Sequence, residues 1–435
     1  MYGPSQADQL TRLTVKVTKR EEKRFLAVPF RVEPNLEEIR VSMQIATPRP
    51  PATIDLGLRD RRGMRGWSGG ARSQVVIREE TATPGYLPGS IEAGDWAVLL
   101  GIYEVPAEGV SVELTIEQNL PKPRWIGGDL HSHTVHSDGA FTVDEAANRA
   151  QQAGLDFLAL TDHNTYSQNL GYPRDSRVLF IPGMELTTYS GHLNLLGVTK
   201  PVDEFRVASN ADLSHHLHLA SQRGALISVN HPFETTCSSC AWRWDWDPRM
   251  DAVEVWNGPW REANTLALAW WQSELAAGRR LVALGGSDTH NAENPHIQHG
   301  WPTTWVYANQ CRRDDILTAI RQGRVFISYA PSGPVIDVSC EAYLMGDVVP
   351  PSGPETVTTT AQRLQPGDEI HIVTDLGVIQ HELVGPDQVS ATLTMKRRNA
   401  RFCRMEVWRW FPEVDARLMA AMSNPLYFGE NPDPE

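Results

Sequence analysis

The rhythm of apolar and polar positions changes twice along this chain. Up to Leu120, short alternating runs such as Leu13–Val17 and Ile54–Leu58 are broken by Gly and Pro. Period-two alternation of this kind predicts half-buried strands. Turn residues at Pro84-Gly85-Tyr86-Leu87-Pro88-Gly89 and Glu92-Ala93-Gly94-Asp95 precede a further strand over Trp96–Tyr103. The pattern reads as an antiparallel sandwich, and Pro121-Lys122-Pro123 marks its end.

Beyond that break, apolar runs alternate with helical stretches as far as Tyr329. Strands are predicted at Trp125–His131, Leu155–Thr161, Val178–Glu185, Leu193–Val198, Ala225–Asn230, Ala252–Trp256, Leu281–Ser287 and Thr303–Tyr307. Thr142 is a good helix N-cap, Glu145 completes a capping box three residues on, and Gly154 closes the helix. Two more helices are predicted near Asp212–Arg223 and Glu262–Ala277. Alternating strands and helices imply a mostly parallel sheet. In parallel barrels the chemistry gathers at the carboxyl ends of the strands. After Ala330-Pro331-Ser332-Gly333-Pro334 alternation returns in Val335–Cys340, Thr356–Ala361, Glu369–Val373, Ser390–Met395 and Phe402–Trp408, which read as a second β domain. The expected division is therefore 1–122, 123–330 and 331–435.

Composition narrows the partners. The net charge is −13 over 435 residues, without an acidic tail. That argues against general nucleic-acid binding and against an anionic membrane surface. Residues Met1–Leu13 contain no apolar signal core, and no run approaches the ~18 apolar residues of a membrane span. Five scattered cysteines suit a reducing cytoplasm better than a disulfide framework.

The chemistry lies at the predicted strand ends. Asp129 to Gly139 holds three histidines and two aspartates in eleven residues. Thr161-Asp162-His163, Glu185 with His192, Asn230-His231 and Ser287-Asp288-Thr289-His290 follow at the ends of later strands. Neutral imidazole and carboxylate are the ligands divalent first-row metals take where thiolate is absent. Five such clusters point to a multinuclear metal site. Divalent ions lower the pKa of a bound water toward neutrality, and a pair ~3.5–4 Å apart clamps the attacking and leaving oxygens of a displacement.

These clusters, in this order, resemble the PHP (polymerase and histidinol phosphatase) superfamily of metal-dependent hydrolases over about residues 125–330. The flanking β regions, the stretch Glu185-Leu-Thr-Thr-Tyr-Ser-Gly-His192-Leu-Asn-Leu-Leu-Gly197 and the ending Ser423-Asn-Pro-Leu-Tyr427 resemble its CehA/McbA branch. The resemblance implies an α/β fold, a distorted (β/α)7 barrel flanked by β-sandwich-like domains, holding two or three divalent ions of zinc, manganese or iron. By this resemblance His131, His133, Glu185 and Asp288 hold the first metal. Asp138, His163 and His290 hold the second, and Glu185, His192 and His231 the third, with Glu185 bridging. Superfamily members that place a histidine near position 138 differ here, where Ser137-Asp138-Gly139 offers a carboxylate.

The expected activity is hydrolysis of a small-molecule phosphoester by a metal-activated hydroxide, with Glu185, His192, His231 and Asp288 at the reacting centre. Alternatives are hydrolysis of a carboxyl or carbamate ester or an amide at the same site, and a non-catalytic metal-binding module. Other residues are open to two readings. Asp129 and Asp162 either orient imidazoles or tie strand ends. His136, and one of His296 and His299, either reach the pocket or face away. His215, His216 and His218 read as surface positions on a helix. Cys237-x-x-Cys240 either rigidifies the site mouth or lines it, and zinc binding by one pair is weakly signalled. Trp242, Trp244 and Trp246 read as core or pocket wall, and Arg243, Asn257 and Arg261 as possible substrate contacts.

Overall fold

The computed structural model describes residues 8–46, 52–79, 81–173, 176–398 and 400–429. The opening residues 1–7, part of the segment searched for a signal core, lie outside it. The chain divides into two compact units, one running to Pro123 and the other beginning at Arg124.

In the first unit, alternation does what period two requires. Strands Gln9–Val17, Val110–Asn119, Glu38–Ala46 and Gln74–Arg78 form one antiparallel sheet, and Phe25–Val32, Gly94–Glu104, Thr53–Asp60 and Gly63–Trp67 form another. Val41, Leu56, Leu100 and Ile116, from both sheets, share one core.

The second unit carries the strand-and-helix alternation. Its first strands are β1 (Arg124–Asp129), β2 (Phe157–Leu160), β3 (Leu179–Thr188), β4 (Gly191–Leu196), β5 (Leu226–Val229), β6 (Ala252–Asn257) and β7 (Val282–Gly286). They hydrogen-bond in that order, parallel except where β4 turns back against β3 and β5. That reversal follows from the tight turn at Tyr189-Ser190, too short for a crossover helix. Just past the strand ends the first and last strands meet. Asp288 N donates to His131 O at 2.8 Å and His133 N to Thr289 O at 3.0 Å. Strands β8 (Thr303–Ala308) and β9 (Val325–Ser328) continue from the other edge of β1, both antiparallel to their neighbours.

Helices α1 (Val143–Ala153), α2 (Asn210–Gln222), α3 (Glu262–Ala276) and α4 (Arg313–Arg321) fill the connections. The Thr142–Glu145 capping box is made on both sides and Gly154 takes the left-handed cap. Helix α4 and strand β9 were not anticipated from sequence. Apart from a short 3-10 turn at Pro412–Val414, the regular elements described beyond residue 330 are strands, and they belong to this second unit. Strand Ala416–Ser423 pairs with β9, extending the sheet to Phe402–Phe411 and Glu369–Thr374. Phe402, Met419 and Met422 enter the same core as Val255 and Trp271. No helix among the described residues is long and apolar enough to cross a membrane.

Candidate metal centre

Glu185 stands at the middle of the site, fully buried on β3. Its Oε1 faces His131 Nε2 at 3.4 Å, His192 Nδ1 at 3.3 Å and His231 Nε2 at 3.5 Å. Its Oε2 faces His133 Nε2 at 3.5 Å and His163 Nδ1 at 2.7 Å. Asp288 Oδ1 lies 3.0 Å from His133 Nε2 and 3.4 Å from His131 Nε2. At the rim, the exposed Asp138 faces His163 Nε2 at 3.6 Å and His290 Nε2 at 3.4 Å. All nine residues expected from sequence thus converge. Their donor atoms group as His131, His133 and Asp288; as His133, Asp138, His163 and His290; as His131, Glu185 and His231; and as His163, Glu185 and His192.

Local backbone geometry aims these side chains. His231 and Asp288 follow β5 and β7 in left-handed conformations, with φ of 26° and 55°. Non-glycine residues hold such angles only where the surroundings enforce them, and they concentrate at functional sites. Tautomers are also set. His131 Nδ1 lies 3.0 Å from Glu254 Oε1; the carboxylate accepts, so that bond takes the Nδ1 proton and Nε2 is left facing the centre. His290 Nδ1 donates to Asp288 O at 2.9 Å, which turns its Nε2 toward Asp138.

Charges in the centre compensate one another. Burial opposes ionisation of Glu185 and Asp288, yet the imidazoles around them, His131 foremost, hold both well below the usual carboxylate range. Burial opposes protonation of His131, but Asp288, Glu254 and Glu185 raise its pKa well above normal. At His133 burial prevails and the pKa falls. The donor set fits divalent cations. His131 Nε2, both ring nitrogens of His133 and His192, and Glu185 Oε2 are buried without a hydrogen-bond partner. Ligands ~2.1 Å from one ion stand roughly 3–3.5 Å apart, the separation seen around Glu185.

Readings left open by the sequence are decided here, and some expectations are corrected. Asp129 and Asp162 touch no imidazole. Asp129 accepts from the backbone N–H groups of His131, Ser287 and Gly300, and Asp162 from Thr134 and Ser137. They tie the strand ends. The carboxylate that does hold an imidazole is Glu254, which sequence reading missed. Its signal was a lone acid inside a strand that is otherwise apolar up to Asn257. Asn230, which donates to Glu185 Oε1 at 2.7 Å, was noted only as His231's neighbour. His216 is buried against Arg206 O, whereas His215 and His218 are exposed. His136 bonds Ser167, His299 is buried beside Phe141, and His296, though exposed, lines a cavity together with Trp256 and Trp260. Arg261 bonds Glu234 and Asn257, and Asn257 in turn bonds Glu254 and Asp288. Trp242, Trp244 and Trp246 pack against the core, half-buried. Cys237 and Cys240 are joined as a disulfide, against the expectation of wholly reduced cysteines.

Residues 129–226 match the PHP domain family. The chain carries a PHP domain. Over 41 residues it is 46% identical to the DNA polymerase/3'-5' exonuclease PolX of Bacillus subtilis, a match covering 9% of this chain and 7% of that protein. Over 156 residues it is 26% identical to an uncharacterised protein of Methanocaldococcus jannaschii, covering 32% of this chain and 88% of that one. Among solved structures, a two-domain protein from Bacteroides vulgatus, said to contain a predicted PHP-like metal-dependent phosphoesterase, aligns over 69% of this chain and 95% of its own, at 17% identity and a TM-score of 0.40. An amidohydrolase from Chromobacterium violaceum, solved with sulfate and no metal, aligns over 39% of this chain and 89% of its own, at 17% identity and a TM-score of 0.29. The PHP domain match covers His131, His133, Asp138, His163, Glu185 and His192; His231, Asp288 and His290 lie beyond it.

Proposed function

We propose that this chain is a metal-dependent hydrolase of small-molecule phosphoesters, working at a di- or trinuclear centre of zinc, manganese or iron. The observation that carries the reading is Glu185: one buried carboxylate with imidazoles of five histidines facing its two oxygens. His131, His133, Glu185 and Asp288 hold one ion, Asp138, His163 and His290 a second, and Glu185, His192 and His231 a third. Bound ions supply an activated water and neutralise charge on the phosphoryl group. The protein's own part is to fix the ligands beforehand: Glu254 orients His131, Asn230 braces Glu185, and Asn257 restrains Asp288. The strand-end bonds between His131–His133 and Asp288–Thr289 favour a seven-strand barrel of the PHP kind. The turn-linked Glu185 and His192 favour the CehA/McbA branch. A screen of phosphomonoesters, phosphodiesters and nucleotides with added manganese or zinc tests the activity. Turnover no higher than that of Glu185→Gln rejects it.

A second reading is favoured by a separate observation. A cavity of about 500 Å³ is lined by Trp256 and Gly258, the sequence neighbours of Asn257, and by Trp260, Trp301, Tyr329, Trp410 and Phe411. Its one arginine, Arg409, is already paired with Asp368 at 2.7 Å. Such a wall suits an uncharged aromatic group, as in an aryl carboxylate or carbamate ester. Aryl acetates and aryl N-methylcarbamates discriminate: turnover of aryl phosphates but not of these esters removes this reading.

A further inference from the structure

The PHP domain's metal ligands are histidines and carboxylates, yet a sulfur lies among them. Cys240 Sγ and ring nitrogens of His192 and His231 all lie within 4.8 Å of one another. Backbone bonds on both sides hold the cysteine loop there. Gly191 N donates to Ser239 O at 2.9 Å, Arg243 N to Ser190 O at 2.9 Å, and Trp242 N to Pro232 O at 2.9 Å. The loop is thereby pinned to the turn preceding His192 and to the residue following His231. Both ring nitrogens of His192, and Nδ1 of His231, are buried without a hydrogen-bond partner. A thiolate with two imidazoles is a sound donor set for zinc or cobalt.

We propose that Cys240 is a metal ligand in the reduced protein, joining His192 and His231, and that the Cys237–Cys240 disulfide is the form in which this ligand is withdrawn. This rests on reading the site as a metal centre. A dithiol reductant transfers two electrons and two protons to the disulfide, giving two thiols, and is itself oxidised to a disulfide. The Cys240 thiol then loses its proton as it binds the cation. Cys237 is the resolving partner and does not bind the metal.

Titration of the metal-free full chain with Co²⁺ tests the proposal, because thiolate bound to cobalt gives a near-ultraviolet charge-transfer band that imidazole and carboxylate do not. The band is expected in dithiol-reduced protein and absent from oxidised protein and from Cys240→Ser. In Cys237→Ser it is expected without reductant, since Cys240 then has no disulfide partner. Cobalt uptake by reduced protein with no such band, or an equal band in Cys240→Ser, overturns the cysteine ligand while leaving the histidine–carboxylate centre intact. Failure to take up cobalt in any state overturns both.

Discussion

At the scale of single residues, the weight of the centre falls on Glu185. It faces five imidazoles, whereas His163 meets only Glu185 and Asp138 among the acids of the site. Replacing Glu185 by Gln removes the charge that offsets neighbouring cations, and imidazoles cannot supply it. Glu185→Gln is therefore expected to lose more bound metal per chain than His163→Ala, with activity abolished in both. Elemental analysis of the purified variants checks this; undiminished metal in Glu185→Gln beside a clear loss in His163→Ala would show that Glu185 does not bridge. A second residue sets a pH dependence. Burial, aided by Arg149, pushes His299 down to about 4. Between that value and the ~6.5 of an unfolded histidine, the unfolded chain binds a proton that the folded chain does not. The contribution is therefore complete above pH ~6.5 and falls away as the pH drops toward 4, by about 3 kcal/mol. Urea unfolding of wild type and His299→Gln at several pH values should show a shallower acid slope in the variant. Parallel slopes would contradict the buried neutral ring.

At the scale of elements, the parts of the sequence with strict local signals were legible. Helix α1 is the plainest: Thr142 accepts from Glu145 N, and Glu145 Oε2 accepts from Thr142 N at 2.8 Å. Thr142→Ala removes the side-chain half of that box and is expected to cost about 1 kcal/mol in denaturant unfolding, with metal content unchanged. A loss below ~0.3 kcal/mol would mean tertiary packing alone holds the helix end. The strand ends that carry the candidate ligands were legible too, because His and Asp stand out at the close of apolar runs. Glu254 escaped for the opposite reason. It precedes no motif, and only the fold brings it to His131, 123 positions away. Asp129 and Asp162 stayed open between two roles because sequence does not say where a carboxylate beside a candidate ligand points; here both turn along the backbone, to N–H groups at the strand ends. Sequence proximity says little about which side of a strand end a side chain serves.

At the scale of the whole molecule, the change of texture near residue 330 did not reveal how the C-terminal β segment is attached. Asn424 shows the attachment. Buried after strand Ala416–Ser423, it accepts from Ala283 N at 2.8 Å and donates to Ala283 O at 2.9 Å and Val325 O at 3.0 Å. A side chain 141 positions downstream thus satisfies both polar groups of a residue on β7, the strand leading to Asp288 and His290. No periodicity encodes such a bond, so sequence alone placed these residues in separate domains. Asn424→Ala would leave the buried Ala283 N–H and C=O without partners, at roughly 1–3 kcal/mol for each orphaned group. A total loss of about 3 kcal/mol is expected, with residues 124–429 still unfolding together because Phe402, Met419 and Met422 remain in the core shared with Val255 and Trp271. Stability should drop while any hydrolytic activity persists well below the unfolding temperature, since the Asn424 side chain bonds Ala283 and Val325 and none of the candidate ligands. Urea unfolding followed by tryptophan fluorescence and by far-ultraviolet dichroism measures both points. Two separated transitions, or a change under ~0.5 kcal/mol, would mean that the C-terminal strands merely lie against the sheet that carries the candidate metal centre and do not complete it.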